Sequence, residues 1–487
     1  MICQGYYTAK TLHHNLLGKD IVATDELTRS IAGVERKWWV LLALGVGTYM
    51  AALDGSVVNT VLPVINRSFG SDIATIEWVV VIYLLTVSGL LLSFGRLGDL
   101  RGHKSVYVSG FGVFVTSSAL CGIAPTAGAL IAFRAMHALG AAMLASNSPA
   151  IVTKNFPSTQ RGQALGLLAT MTYLGLTTGP SLGGWLADQF GWRAVFYINV
   201  PIGSLALLLS QRFIPRDSAS HSGERFDLIC AMAFIVGLVA LLLALNQGHA
   251  WGWSSPAIVG LVIAAALLLA TFLVVESRVS HPMLDLSLFR RRLFSAAVAS
   301  AVLNYICVNT ITFLLPFYLI QGRGLSPAQA GLLITAQPLI MAIAAPLSGT
   351  LSDRIGSRVP STLGMAILAI GLFLLSRLDP QSPMGHVAVA LAIAGLGTGT
   401  FISPNSNALL SAAPRERQGI ASGILATARS GGMVLGVGIA GAILTTVMAH
   451  GQQIGSASAL FDAVSMGFFV ASGIALLGVL TSVVRGG

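Results

Sequence analysis

Charge is scarce in this chain: Asp, Glu, Lys and Arg together make up 9% of its 487 residues, against about a quarter in an ordinary soluble domain. So little charge cannot coat a water-facing surface, so water is not the main solvent. Cysteine is scarce as well. Cys3, Cys121, Cys230 and Cys307 lie far apart with no ligand spacing, which argues against a disulfide framework and a zinc site. No soluble stretch is long enough for a catalytic domain. No cluster of nucleophiles, paired carboxylates or metal ligands sits inside the apolar segments, as an embedded enzyme would need. The first 36 residues lack the apolar core of a secretory signal. They mix polar and charged types, among them His13, His14, Lys19, Asp20, Asp25 and Glu26, and are expected to form a cytoplasmic tail.

What is abundant is apolar sequence. Hydrophobic types make up 54% of the chain, and runs long enough to span a bilayer, about 20 residues each, recur from Trp38 to Val484. The spacing predicts fourteen such helices. The breaks between them alternate in charge. One set carries Arg96, Arg101 and Lys104, then Lys154 and Arg161, then Arg212, Arg216 and Arg225, then Arg278 with Arg290, Arg291 and Arg292, then Arg354 and Arg358, then Arg415 and Arg417. The other set holds Arg67, Arg193, Arg323 and Arg377. The positive-inside rule assigns the rich set, and with it both termini, to the cytoplasm of a cell (inner) membrane. The net charge of +10 thus follows from topology, and no nucleic-acid partner is implied.

The chain also repeats itself. Gly95 opens GRLGDLRGHKSV, and GTLSDRIGSRVP opens at Gly349, a shift of 254 (349 − 95). TQRGQALGLLAT from Thr159 returns as ERQGIASGILAT from Glu416, a shift of 257 (416 − 159). Equal shifts with equal sidedness predict two parallel halves related by an axis along the membrane normal. A shift of eight helices implies six plus an inserted pair, for which 227–245 and 256–275 are the natural candidates. The expected organisation is a tail over 1–36, a six-helix bundle over 37–215, an inserted pair with flanking loops over 216–285, and a second six-helix bundle over 286–487.

Four local patterns carry a family resemblance. The first is the break Gly95-Arg-Leu-Gly-Asp99-Leu-Arg101-Gly102-His-Lys104, matched in the second half by a break containing Asp353. The second is Gly175-Leu-Thr-Thr-Gly179-Pro180-Ser-Leu-Gly183-Gly184, in which proline bends a helix and glycines allow close helix approach. The third is Trp192-Arg-Ala-Val-Phe196-Tyr-Ile-Asn199-Val-Pro201, expected to be an aromatic anchor and helix start. The fourth is Leu53-Asp54-Gly-Ser-Val-Val-Asn59-Thr-Val-Leu-Pro63. Together they resemble the fourteen-helix drug:proton antiporter branch of the major facilitator superfamily. The resemblance implies an all-α polytopic membrane fold and a proton-coupled exporter, not an enzyme, working by alternating access on hydrophobic or cationic small molecules. It implies protons as the coupling ion, with no other cofactor and no metal. A periplasmic adaptor is neither implied nor excluded by these motifs. The rival readings are a dedicated exporter of one endogenous metabolite or antibiotic and, from another class, a membrane sensor that transports nothing.

The candidate site residues follow. Asp54 lies within an apolar segment, where a carboxylate is costly unless protonated or paired and is functional by default. It is expected either to couple protons to substrate or to serve as a structural partner of Arg134. Arg134 lies inside the fourth helix, and His137, three residues on, shares its face. There the family pattern has glutamine and then glycine, whereas this chain has His137 and Ala138. His137 is read as a proton carrier or a packing residue. Arg429, a second intramembrane cation, joins the loop and fifth-helix motifs as a residue to which the resemblance gives a gating or structural role, with substrate contact as the alternative. Candidates to line a broad apolar pocket are Tyr49, Asn59, Tyr83, Asn147, Tyr173, Asn304, Tyr305, Asn309, Gln337, Asn405 and Asn407. Each has the alternative of a hydrogen bond between helices.

Overall fold

The computed structural model describes residues 30–31, 34–157, 160–216, 228–252, 254–276, 286–414, 418–453 and 458–484. Most of the expected tail lies outside the described residues, as do the side chains of Asp99 and Asp353. A two-residue pair of strands, β1 (Ser30–Ile31) and β2 (Val34–Glu35), precedes the first helix. The helices are α1 (Arg36–Phe69), α2 (Ile73–Arg101), α3 (His103–Gly122), α4 (Ala127–Asn155), α5 (Arg161–Phe190), α6 (Ala194–Tyr197), α7 (Asn199–Phe213), α8 (Leu228–Trp251) and α9 (Pro256–Glu276). They continue with α10 (Arg292–Pro316), α11 (Pro327–Ile334), α12 (Ala336–Ile355), α13 (Arg358–Leu375), α14 (Met384–Ala412), α15 (Gln418–Gln453) and α16 (Ala459–Val483). Short joints link α6 to α7 and α11 to α12, and α10 runs on into a π-helical turn, Phe317–Gly322. Counted as continuous rods, the described helices number fourteen, as the apolar spacing predicts. Twelve are long and apolar enough over their described residues to cross a membrane.

Local chemistry sets the helix ends. Asp72 and Thr126 cap α2 and α4 by accepting the backbone N–H groups of Thr75 and Ala129. Ser326 and Gln329 form a capping box around Pro327 at the start of α11, satisfying N–H groups that a helix start leaves open. The two matched loops turn alike: Gly102 has φ 92° and Gly356 φ 81°, backbone that glycine adopts without steric penalty.

The internal repeat extends to packing. A Cβ on Gly110 would sit 3.3 Å from the Gly140 carbonyl oxygen, and one on Gly364 would sit 2.7 Å from that of Gly397. These are equivalent crossings of α3 on α4 and of α13 on α14. Likewise a Cβ on Gly175 would be 2.6 Å from the Tyr49 carbonyl of α1, and one on Gly432 would be 2.6 Å from the Val302 carbonyl of α10. Small residues let these backbones meet where lipid offers no hydrophobic drive for association. The inserted pair differs between its two helices. α9 is apolar all round, but α8 touches both halves, through Ile235 and Val239 against Gly89 of α2 and through Leu242 near Gly431 of α15.

Among the described residues the two halves merge at one end. At the arginine-poor end a single apolar core joins Val57, Ile65 and Ile76 to Phe313, Phe317, Val437 and Leu444. At the arginine-rich end the cores are separate, one around Leu44, Phe111 and Ile151, the other around Phe294, Leu409 and Ile424. Hydrogen bonds cross between halves at the closed end, from Arg67 Nη2 to the Ile320 carbonyl (3.1 Å) and between Ser181 Oγ and Thr335 Oγ1 (2.6 Å). Over the described residues the molecule is therefore shut at the arginine-poor end and parted at the other.

Candidate functional site

Five helices of the first bundle converge on Asp54. Its carboxylate is 1% exposed. Oδ2 accepts Arg134 Nη1 of α4 at 2.8 Å, and Oδ1 accepts Asn199 Nδ2 of α7 at 2.9 Å. Arg134 Nε donates to the Val79 carbonyl of α2 (3.2 Å), and its guanidinium lies 4.1 Å from the centre of the Tyr83 ring, a favourable cation–π geometry. Asn199 also donates to Ser118 Oγ of α3 at 3.1 Å, and that hydroxyl donates to the Phe196 carbonyl at 2.9 Å. The buried charge is paired and hydrogen-bonded, as burial in a low dielectric requires.

His137 completes the cluster. Its Nδ1 is 3.0 Å from Arg134 Nη1 and 3.7 Å from Asp54 Oδ2. Arginine only donates, so Nδ1 accepts, the ring is neutral, and the proton is on Nε2. That atom is buried and has no hydrogen-bond partner. The ring stacks obliquely on Phe114, with centroids 3.9 Å apart.

Asn199 and Ser118 were not among the sequence candidates. The signal was an asparagine just inside an apolar helix, which the sequence reading treats as part of a structural helix start. Asn199 sits where α6 gives way to α7, so it ties the carboxylate to a helix joint. A hydrogen bond to a charged group contributes about 1.5–3 kcal/mol. Asn199→Ala should therefore lower thermal stability and slow gradient-driven transport severalfold. Ser118→Ala should cost less on top of Asn199→Ala than it does alone, because the bond between the two is already lost and the one from Ser118 to the Phe196 carbonyl is left; a double-mutant cycle read by thermal unfolding checks this.

The remaining candidates separate by burial. Asn147 is fully buried, bonded to His103 Nδ1 (2.8 Å) and to the Phe94 and Met143 carbonyls. It braces the α2–α3 turn, where a Cβ on Gly98 would collide with its side chain. Asn304, Asn309 and Asn405 donate to Met365 Sδ, the Tyr305 carbonyl and the Ala297 carbonyl, and Gln337 is 5% exposed. In this state those five side chains are buried among the helices. Asn59, half-buried, bonds back to the Gly55 carbonyl. Tyr49 meets Thr178 Oγ1 at 2.9 Å. Tyr173 and Tyr305 are half-buried and Arg429 is exposed.

The motif residues take distinct places. Lys104 Nζ donates to the Gln211 and Ile214 carbonyls, tying the first loop to the end of α7, while Arg101 is exposed. A Cβ on Gly95 would touch only Ser146, at 3.9 Å. The fifth-helix motif presents two faces. Gly175, Gly179 and Gly183 fit α1 at Tyr49, Ser56 and Val57, while Pro180 and Gly184 fit α11 across the bundle divide, against Gly331 and Pro327. Glu77 is 5% exposed, with its carboxylate against Gly441 of α15.

The chain matches the Major Facilitator Superfamily model over residues 44–227, 226–437 and 297–485. It belongs to that superfamily. Among curated relatives, a riboflavin transporter, RibZ, of Clostridioides difficile (strain 630) is 32% identical over 92% of this chain and 98% of its own length. The multidrug resistance protein Stp of Mycobacterium tuberculosis is 36% identical over 83% of this chain and 75% of its own. A tetracenomycin C resistance and export protein of Streptomyces glaucescens is 30% identical over 84% and 76%. Of solved structures, a POT family transporter in complex with 5-aminolevulinic acid superposes with TM-score 0.70 at 13% identity, covering 93% of this chain and 98% of that one. An inward-facing bacterial homologue of the lysosomal transporter Spinster superposes with TM-score 0.66 at 15% identity, over 92% and 97%. These likenesses are of fold. The superfamily member described here is a multi-pass membrane transporter of small molecules, in the company of drug and antibiotic resistance proteins, and not an enzyme.

Proposed function

We propose that this transporter is a proton antiporter of the cell membrane, exporting hydrophobic small molecules by alternating access between its two bundles. The observation that carries the reading is the Asp54 carboxylate, sealed inside the first bundle with Arg134, Asn199 and neutral His137 around it. Protonation of Asp54 cancels the charge that holds Arg134 and weakens the acceptor offered to Asn199. Helices α1, α4 and α7 then lose a common tie, and proton uptake becomes a change in bundle geometry. Counting positive loops puts the arginine-rich end and both termini in the cytoplasm, so the parted end faces inward. In the cycle, Asp54 takes a proton from outside, the protein turns inward, proton loss to the cytoplasm restores the ion pair, and substrate loads from that side.

The cationic cargo that the resemblance implies would want an accessible anion, and Asp54 is engaged with Arg134. The relatives support export: their names include multidrug and tetracenomycin C resistance. A second reading, one dedicated endogenous cargo, draws on the riboflavin transporter that matches over nearly its whole length. The deciding experiment uses proteoliposomes loaded with a neutral fluorescent dye. An imposed pH gradient should drive dye movement against its own gradient, and a protonophore should abolish it. Dye movement indifferent to the pH gradient would sink proton antiport.

A further inference from the structure

The parted half of the molecule holds an arginine at membrane depth. Arg429 lies eleven residues into α15 (429 − 418), about 17 Å along its axis at 1.5 Å per residue. Its side chain is exposed, while its neighbours Ala428 and Ser430 are buried. Three residues on, Gly432 seats α15 on α10, where a Cβ would be 2.9 Å from that of Tyr305. Arg429 and Tyr305 thus flank one helix crossing. Tyr173, from α5 of the other bundle, is within electrostatic reach of both. We read this exposed guanidinium, within electrostatic range of a tyrosine from the other bundle, as facing the cleft. Lipid would be a costly neighbour for it.

Carboxylates at that depth are engaged elsewhere. The two acids buried within described helices are Asp54, held by Arg134 and Asn199, and Glu77, seated on the closed crossing against Gly441. Among the described residues ion pairs join Lys37 to Glu35 and Asp54 to Arg134, with His137 beside them, and none is found at Arg429. The cleft therefore offers a fixed positive charge with five N–H donors beside two phenol rings that favour flat aromatic faces.

We propose that Arg429, Tyr173 and Tyr305 bind planar aromatic molecules through an anionic or acceptor-rich edge, so that the transporter carries anionic and neutral aromatics in preference to organic cations. The assignment rests on the exporter reading above and names the cargo class of its cleft. The rings supply stacking. Arg429 supplies the edge contact, and its field disfavours a cation at the same spot.

The test is equilibrium binding to the full-length protein in nanodiscs, with fluorescein as a planar anion and ethidium as a planar cation. Fluorescein should bind saturably and ethidium at least tenfold more weakly. Arg429→Gln should weaken fluorescein at least tenfold, Arg429→Lys should lose less, and the ethidium gap should narrow in Arg429→Gln alone. Equal affinity for the two dyes in the native protein overturns the assignment. So does no saturable fluorescein binding, or unchanged fluorescein affinity in a folded Arg429→Gln. Because no pH gradient is applied, failed proton coupling leaves this result standing, and failed binding selectivity leaves gradient-driven export of neutral dyes untouched.

Discussion

Asp54→Asn should abolish pH-gradient-driven export, reducing it to the rate of empty liposomes. Two effects contribute, and they can be separated. Removing the carboxylate takes away the proton-binding group. It also strands Arg134, which is 1% exposed, and an uncompensated buried charge costs about 3–5 kcal/mol. The single variant should therefore lose thermal stability as well as transport. Pairing it with Arg134→Met removes the stranded charge, and the amide left at position 54 can still accept from Asn199 Nδ2. The double variant should regain most of the lost stability yet remain dead to an imposed pH gradient. Downhill dye movement, which needs no coupling, should persist in it if the bundles still exchange. Unfolding curves and dye transport on the same preparations check both halves. Gradient-driven export surviving in the folded double variant would remove Asp54 from the coupling.

The fold was legible because its signals are large and redundant: apolar length, alternating loop charge, and two repeats in matching register. The core of the site was legible for a related reason. A carboxylate and an arginine inside apolar helices stand out against everything near them, and both end in one ion pair. Asn199 escaped because one asparagine at a helix start has many ordinary explanations, and only the fold brings it to 2.9 Å from Asp54. The cavity residues were least legible. Helices such as α8 and α9 are apolar on every side, so no amphipathic stripe marks which face turns inward. Residue type alone did not distinguish Asn147, spent on the α2–α3 turn, from Tyr173, which is half-buried. Glu77 shows the same limit. It lies 254 residues before Gly331 (331 − 77), the repeat shift of the halves. The two occupy equivalent crossings, one closed backbone to backbone and the other spaced by a carboxylate.

That equivalence leads to the second large effect. At the shut end, α5 and α11 meet through paired glycines: a Cβ on Gly331 would be 2.0 Å from the Pro180 carbonyl oxygen, and one on Gly184 would be 2.1 Å from that of Pro327. The obstacles are backbone oxygens inside helices, so no rotamer change relieves them. Reaching ordinary contact, about 3.5 Å, requires the helices to part by about 1.5 Å. Overpacking of this kind costs about 1–3 kcal/mol, and it falls only on the state in which this end is closed. Gly331→Leu should thus shift the balance between conformations by roughly 5- to 150-fold toward opening at the arginine-poor end, while Gly331→Ala shifts it in the same direction by less. Ser181 and Thr335, whose hydroxyls are 2.6 Å apart, report the closure directly. With both replaced by cysteine, oxidation should cross-link the bundles readily in the native background and poorly in Gly331→Leu. Gradient-driven export should fall with the cross-linking, since a transporter that cannot close one end cannot alternate. A bulky residue at Gly331 that leaves cross-linking and export intact would mean that this crossing is not the gate.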